Sequence, residues 1–264
     1  TENLLIDGQL GASSATFTGV VTTTGAGAGS GLVKIVGGNA AGETASADFN
    51  ANIAAAGAME IDGGSHASAG ASVTMSGASI TVTGTIDMDD VTGGSTLTFD
   101  GTVAQSLASN IDGVGGAEGT VNISNSHGSG MTFEAEIGAA QDIAAIVVGS
   151  ADGTNTMALF TDDSGATAWT IGNAGSTVDT ATMNVDSDDG TLTIAGTING
   201  TTDTDVLNIY DVGAGAAGNA VTFSGIIGAT TPIDTINIGS TADPGNGDFN
   251  ASVSATNFNM TAGG

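Results

Sequence analysis

Met131-Thr132-Phe133-Glu134-Ala135-Glu136-Ile137-Gly138-Ala139 and Val221-Thr222-Phe223-Ser224-Gly225-Ile226-Ile227-Gly228-Ala229 are two copies of one pattern. They open the segments 131–149 and 221–239, which align without a gap. Each continues through a polar stretch holding Asp142 or Asp234 into a second apolar run, Ile146-Val147-Val148 or Ile236-Asn237-Ile238. Leu192–Tyr210 follows the same plan and ends in Leu207-Asn208-Ile209. The unit reads as strand, turn, strand, with thirteen residues between equivalent apolar positions.

The first seven residues recur elsewhere as apolar, Thr, apolar, any, small, any, Val/Ile. Further copies begin at Ala15, Ile80, Leu97 and Leu192, and the small residue is Gly in all but the Met131 copy, which has Ala135. The central apolar residues Phe17, Val82, Phe99, Phe133, Ile194 and Phe223 are separated by 65, 17, 34, 61 and 29 residues. These separations lie near small multiples of 15 to 17. A stacked β-coil produces such spacing, because each turn sets its apolar residues above the last.

The apolar runs are short, rich in β-branched residues and bounded by Gly, Asp, Asn and Ser, and many alternate with period two, as in Leu97-Thr98-Phe99-Asp100. That is strand patterning. The best helix candidate is the Ala-rich stretch Asn52–Ala58, weakened by Gly57, and a short helical turn is expected near Ala139–Asp142. The fold expected is all-β, a β-solenoid in one elongated domain over residues 1–264. The alternative is a pair of tandem β-sandwich domains, which also use short strands spaced by turns. Gly113–Gly119 would then be the boundary.

Composition excludes several function classes. Charged residues are 11 % of the chain, yet the net charge is −27, because Lys34 is the single Lys or Arg. Nucleic-acid binding relies on Lys and Arg to neutralise phosphate, so this chain would be repelled by the polymer. Anionic membranes would repel it too, and no apolar run approaches the ~18 residues of a membrane-spanning helix. The natural charge partner is a cation, and carboxylate oxygens favour Ca²⁺. There is no cysteine, so stability has to come from burial and backbone pairing. Beginning at Thr1 without a basic, apolar leader, the sequence reads as a mature or trimmed chain.

Repeats such as Val221–Pro232 resemble those of large bacterial surface proteins, including autotransporter passengers and haemagglutinin-like adhesins. The Gly/Ala/Ser/Thr/Asn bias, with one Lys, no Cys and many Asp, resembles bacterial S-layer proteins. The likeness covers about half the chain, from Met131 onward. It implies export, a β-solenoid or sandwich scaffold, Ca²⁺ dependence and self-assembly. No run matches the Gly-Gly-x-Gly-x-Asp nonapeptide of calcium-binding RTX proteins, so a β-roll of that type is not expected.

The best metal candidate is Asp186-Ser187-Asp188-Asp189-Gly190, with Asp186, Asp188 and Asp189 as ligands. Clustered carboxylates ahead of a Gly turn can wrap Ca²⁺, although the spacing is one residue short of a full Asp-x-Asp-x-Asp-Gly loop. The plainer reading is a solvated turn between Val185 and Leu192. Asp162-Asp163, Asp87 with Asp89-Asp90, Asp203 with Asp205, and Asp243 with Asp248 read as polar turns first and ligands second. His66 and His127 sit in Gly/Ser-rich stretches without a recognisable partner and read as loop residues. A polysaccharide-cleaving site would need aromatic platforms and usually a basic residue, and the chain offers Trp169, Tyr210 and Lys34. No catalytic residue is assigned. Asn122, Asn199, Asn250 and Asn259 match the N-glycosylation pattern.

The function expected is a self-assembling extracellular structural protein, an S-layer, filament or surface-fibre subunit strengthened by Ca²⁺, and not an enzyme. Its partners would be copies of itself. The alternative is an adhesin, a module of a larger cell-surface protein recognising a surface glycan. Leu4-Leu5-Ile6 and Ser252–Met260 read as terminal strands whose unpaired edges would favour head-to-tail association.

Overall fold

The computed structural model describes residues 3–25, 30–90, 92–149, 154–172, 179–187, 190–202, 204–211, 219–240 and 245–261. Its strands alternate buried and outward residues as the sequence pattern requires. In Gly94–Phe99, for example, Leu97 and Phe99 are fully buried while Thr96 and Thr98 face outward. β-branched and aromatic side chains suit such a half-buried pleated surface.

Every described strand pair is parallel, and the pairs join into three ladders. Face A runs Leu4, Val33, Met59, Ile86, Ile111, Ile137, Ser164, Ile194, Phe223 and Phe249, each paired with the next. Face B runs Ala15, Ala47, Val73, Leu97, Val121, Ile146, Trp169, Ile198, Ile227 and Val253. Face C runs Val21, Ile53, Ile80, Leu107, Phe133, Phe160, Val185, Ile209, Ile238 and Met260. The chain visits A, B and C in order and then climbs one rung. The molecule is a three-sided β-solenoid of about 9 turns. Residues 113–119 form one of its corners, and the strands on both sides of that corner pair with the rungs above and below.

The size of the rung corrects the repeat expected from sequence. Cross-rung partners lie from 22 to 32 residues apart, not 15 to 17. The seven-residue motif is a corner rather than a strand. Its central apolar residue ends one face, its small residue sits at the bend, and its last Val or Ile usually opens the next face. The motif serves all three corners: Phe17 to Val21 turns from B to C, Phe133 to Ile137 from C to A, and Phe223 to Ile227 from A to B. Spacings between copies therefore measure fractions of a rung. The Leu97 copy departs from the rule, because Val103 is exposed and Gln105 takes the inward place. The gapless unit crosses C, A and B in its first copy and A, B and C in its second, so equal sequences sit one face out of phase.

The Gly of that unit is required at the bend. Gly138 and Gly228 both have φ of +72°, and their N–H groups donate to Ile111 O and Ile198 O at 2.7 Å. The left-handed conformation costs a side-chain-bearing residue about 1–2 kcal/mol, and a Cβ at either position would collide with the backbone of the next rung.

The Ala-rich stretch expected to be helical is a strand, Ile53–Ala55, with Ile53 and Ala55 buried in the core. Ala139–Asp142 forms bends, not a helical turn. Parallel pairing on both sides overrides the helix propensity of Ala here, since a half-formed helix would orphan the ladder groups of the neighbouring rungs.

The interior is a column of apolar side chains. Phe99, Phe133, Phe160 and Trp169 form a run with ring centroids 5.0–5.4 Å apart, alternating edge-on and stacked contacts. Trp169 Nε1 donates to Ala195 O at 2.7 Å. Ser164, the one polar residue in the inward column enumerated for face A, donates its hydroxyl to Asp162 O at 3.2 Å. Removing Phe133 empties a site flanked by two rings. Phe133→Ala is expected to lose about 3–5 kcal/mol in urea unfolding, whereas Thr132→Ala, on the outer side, should change stability by no more than about 0.5 kcal/mol. Equal losses from the two would contradict this placement of the core.

Candidate functional site

Register brings the acidic residues into files. Leu5, Lys34, Glu60, Asp87 and the buried Asp112 form one column on face A, on the side opposite the apolar core column. Asp62 and Asp89 form a second pair beside it. Neighbouring strands are about 4.8 Å apart, where two like charges repel by about 1 kcal/mol in water and by a few where water is partly excluded. Lys34 Nζ donates to the Glu60 carboxylate, the one ion pair among the described residues. Burial pushes the Asp87 carboxyl above its ordinary range, and Asp112 and Glu60 push it further. Burial also raises Asp90, partly offset by the Gly119 N–H at 3.2 Å, while Glu118 adds to the rise. Such a file favours protons or a mobile cation. Among the described residues no three His, Asp or Glu side chains converge on a metal-sized point.

Several carboxylates close corners. Glu43 Oε2 accepts from Asn39 N at 2.7 Å and Ala40 N at 2.8 Å, and Glu118 Oε2 accepts from Val114 N at 3.1 Å and Gly115 N at 2.8 Å. Asp62 holds Gly64 N, Asp112 holds Ala140 N, and the wholly buried Asp205 holds Thr201 N at 2.6 Å. Asp163 accepts from Thr193 N at 2.6 Å, and Asp162 accepts from Asp163 N at 2.8 Å. Backbone N–H groups thus do the work that Lys and Arg do elsewhere.

The expected calcium loop lies at the corner leaving face C. Asp186 ends a strand and is buried, and Ser187 N and Oγ both donate to Tyr210 O. A cleft of about 170 Å³ beside it is lined by Glu134, Asp162 and Ser187. Asp188 and Asp189 lie outside the described residues, as do Asp203 and Asp243 of the lesser candidates. Asp248 stands in a strand paired with Thr222. Two carboxylates not singled out from sequence are more demanding. Asp179 is 5 % exposed, with both oxygens buried and without hydrogen-bond partners, and one oxygen of the buried Asp211 is in the same state. A buried carboxylate without a donor is costly unless a proton or cation meets it.

His66 and His127 share one turn. Each Nδ1 accepts the N–H two residues on, from Ser68 at 3.1 Å and Ser129 at 3.0 Å. Both rings stabilise corners, and the shared Ser-His-x-Ser string is the signal for that role.

Sequence reasoning passed over two amide networks. Asn208, Asn237 and Asn259 each donate Nδ2 to the Oδ1 of the asparagine one rung before, starting at Asn184, at 2.8 Å each. The signal is apolar-Asn-apolar at the close of four strands. Buried Gln105 spans rungs, donating to Met75 O and Gly77 O and accepting from Gly101 N and Asn125 Nδ2. No periodicity announces it.

The raised Asp87 fixes a pH dependence. Its folded-state pKa exceeds the unfolded one, so its contribution to stability is present at low pH and lost as pH rises through the folded value. Asp87→Asn should raise the Tm by a few degrees at pH 7, with the gain shrinking as the pH falls below the elevated pKa and the wild type protonates. Thermal melts across pH 4–8 check this, and a variant no more stable at pH 7 would remove the repulsion from the account.

No protein-family model, no curated protein and no solved structure matches this chain.

Proposed function

We propose that this chain is a self-assembling extracellular structural protein, a subunit of a surface layer, filament or fibre, and that it performs no chemical reaction. The observation that carries the reading is the continuity of the three ladders from Leu4 to Met260. A rod paired through its backbone along its whole length holds shape without disulfides. Several of its carboxylates hold corners by accepting from backbone N–H groups. The surface left over is acidic and cation-poor, which keeps separate rods apart until a cation offsets the charge.

Ca²⁺ is the cation proposed. The repulsive file Glu60–Asp87–Asp112, the unpartnered carboxylate of Asp179 and the Asp186 loop are where it would act. The outer face B offers a second reading, a glycan-binding adhesin. Ser46, Ser72, Thr96 and Thr120 stand in one column there, and Asp48, Thr74, Thr98 and Asn122 in another. Those columns present hydroxyl, carboxylate and amide groups in a flat array.

Electron microscopy and sedimentation of the pure protein, with Ca²⁺ and with a chelator, separate these readings. Ordered polymers that loosen on chelation, with a Tm lower by several degrees, are expected. Polymers indifferent to chelation would remove calcium, and a stable monomer retaining a glycan would favour adhesion.

A further inference from the structure

We infer that a cleft at the corner leading from face B into face C binds one neutral sugar ring. Its volume is about 280 Å³, and its walls are made by Ser126, His127, Asn155, Met157, Thr180 and Thr182. Ligand cavities start at about 300 Å³, so this one has the size for a single pyranose. The inference rests on the glycan reading above rather than on the assembly reading, and it gives that reading a bounded site away from face B.

Two strands build one side of the cleft. Met157 and Thr182 are register partners on the outer side of face C. Thr180 N donates to Asn155 Oδ1 at 3.0 Å, which turns the amide so that Nδ2 is left to donate. The turn before Met131 builds the other side. His127 N donates to Asn125 Oδ1 at 2.8 Å, and Asn125 Nδ2 donates to the buried Gln105 at 2.7 Å. Gly130 N closes the turn on His127 O at 2.8 Å. His127 Nδ1 accepts from Ser129 N, so in the neutral ring the proton lies on Nε2. A side held by the buried amide network is already in place before a ligand arrives, which lowers the cost of binding. The hydroxyls of Ser126, Thr180 and Thr182 make no hydrogen bond to another described residue.

The chemistry of the walls selects the ligand. They offer N–H and O–H donors, hydroxyl acceptors and the apolar, adaptable side chain of Met157. A pyranose presents the counterparts, hydroxyls around a ring with apolar C–H faces. No Asp, Glu, Lys or Arg stands among the described residues of the walls, so neither a cation nor an anion finds a counter-charge. The field of a chain of net charge −27 also repels anions. The clefts at the corner leaving face C differ in this respect. One of about 270 Å³ is lined by Glu136, Asp142 and Asp163, and the one of about 170 Å³ by Glu134 and Asp162.

Saturation-transfer NMR reads the sugar and serves monomer and polymer alike. The probes are D-glucose, D-galactose and D-mannose, with D-glucuronate as the charged counterpart. At least one hexose is expected to bind, and glucuronate should bind about threefold or more weakly at low ionic strength, where the field is least screened. Thr182→Val removes one hydroxyl with a residue suited to a strand. It should weaken binding about fivefold, the worth of one hydrogen bond, with the Tm unchanged. His127→Gln should weaken it at least as much, while His66→Gln, the same change in the matching turn elsewhere, should leave the affinity unaltered. Equal losses from the two histidine variants would overturn the site. Hexose binding untouched by Thr182→Val and His127→Gln would also overturn it and leave the glycan reading standing. Glucuronate held as tightly as glucose would overturn the neutral ligand. No transfer to any of the three hexoses would defeat the site and the glycan reading together.

Discussion

In-register parallel pairing is the constraint from which the rest of this molecule follows. Once two rungs share hydrogen bonds, each side chain is fixed above its counterpart at about the strand spacing. Apolar residues then stack into one continuous core, and phenylalanines meet ring to ring. The same rule acts on polar residues. Asparagines stack favourably, because an amide both donates and accepts, so each can pass a hydrogen bond to the next. Carboxylates cannot, because both oxygens only accept. A file of Glu60, Asp87 and Asp112 is therefore a standing cost, relieved by protons, by a cation or by Lys34 at its head.

That asymmetry accounts for the distribution of charge. Corners interrupt the ladders and leave backbone N–H groups without partners, and a carboxylate is well suited to collect two of them at once, as Glu43 and Glu118 do. The chain thus carries many acidic residues with almost no basic ones and still keeps several of them engaged. On face A the Asp87 carboxyl, raised by burial and by Asp112 and Glu60, is the place where a proton would alter stability.

The outward side of a solenoid is a repeating lattice, and its ends are cross-sections of its core. Such a body offers few concave sites and many periodic ones.

How much of this was legible depends on the range of the signal. Alternation in Leu97-Thr98-Phe99 and the recurring seven-residue motif sufficed for all-β structure and for stacking, since strand patterning and turn chemistry are local. The rung length was misread, because one corner motif serves three different corners and its spacing carries no phase. Asn52–Ala58 was misread for a related reason: the helix propensity of Ala is local, and the parallel pairing that overrides it comes from neighbouring rungs. Asp186 was legible as part of an acidic loop, whereas Asp179 and the Gln105–Asn125 network were not, since burial and partners arise from residues some 20 to 30 positions away. By itself the sequence determined strand, turn and charge, which are properties of neighbours along the chain. Only the tertiary structure decided which residues share a column, because register is a relation between segments that no local pattern contains.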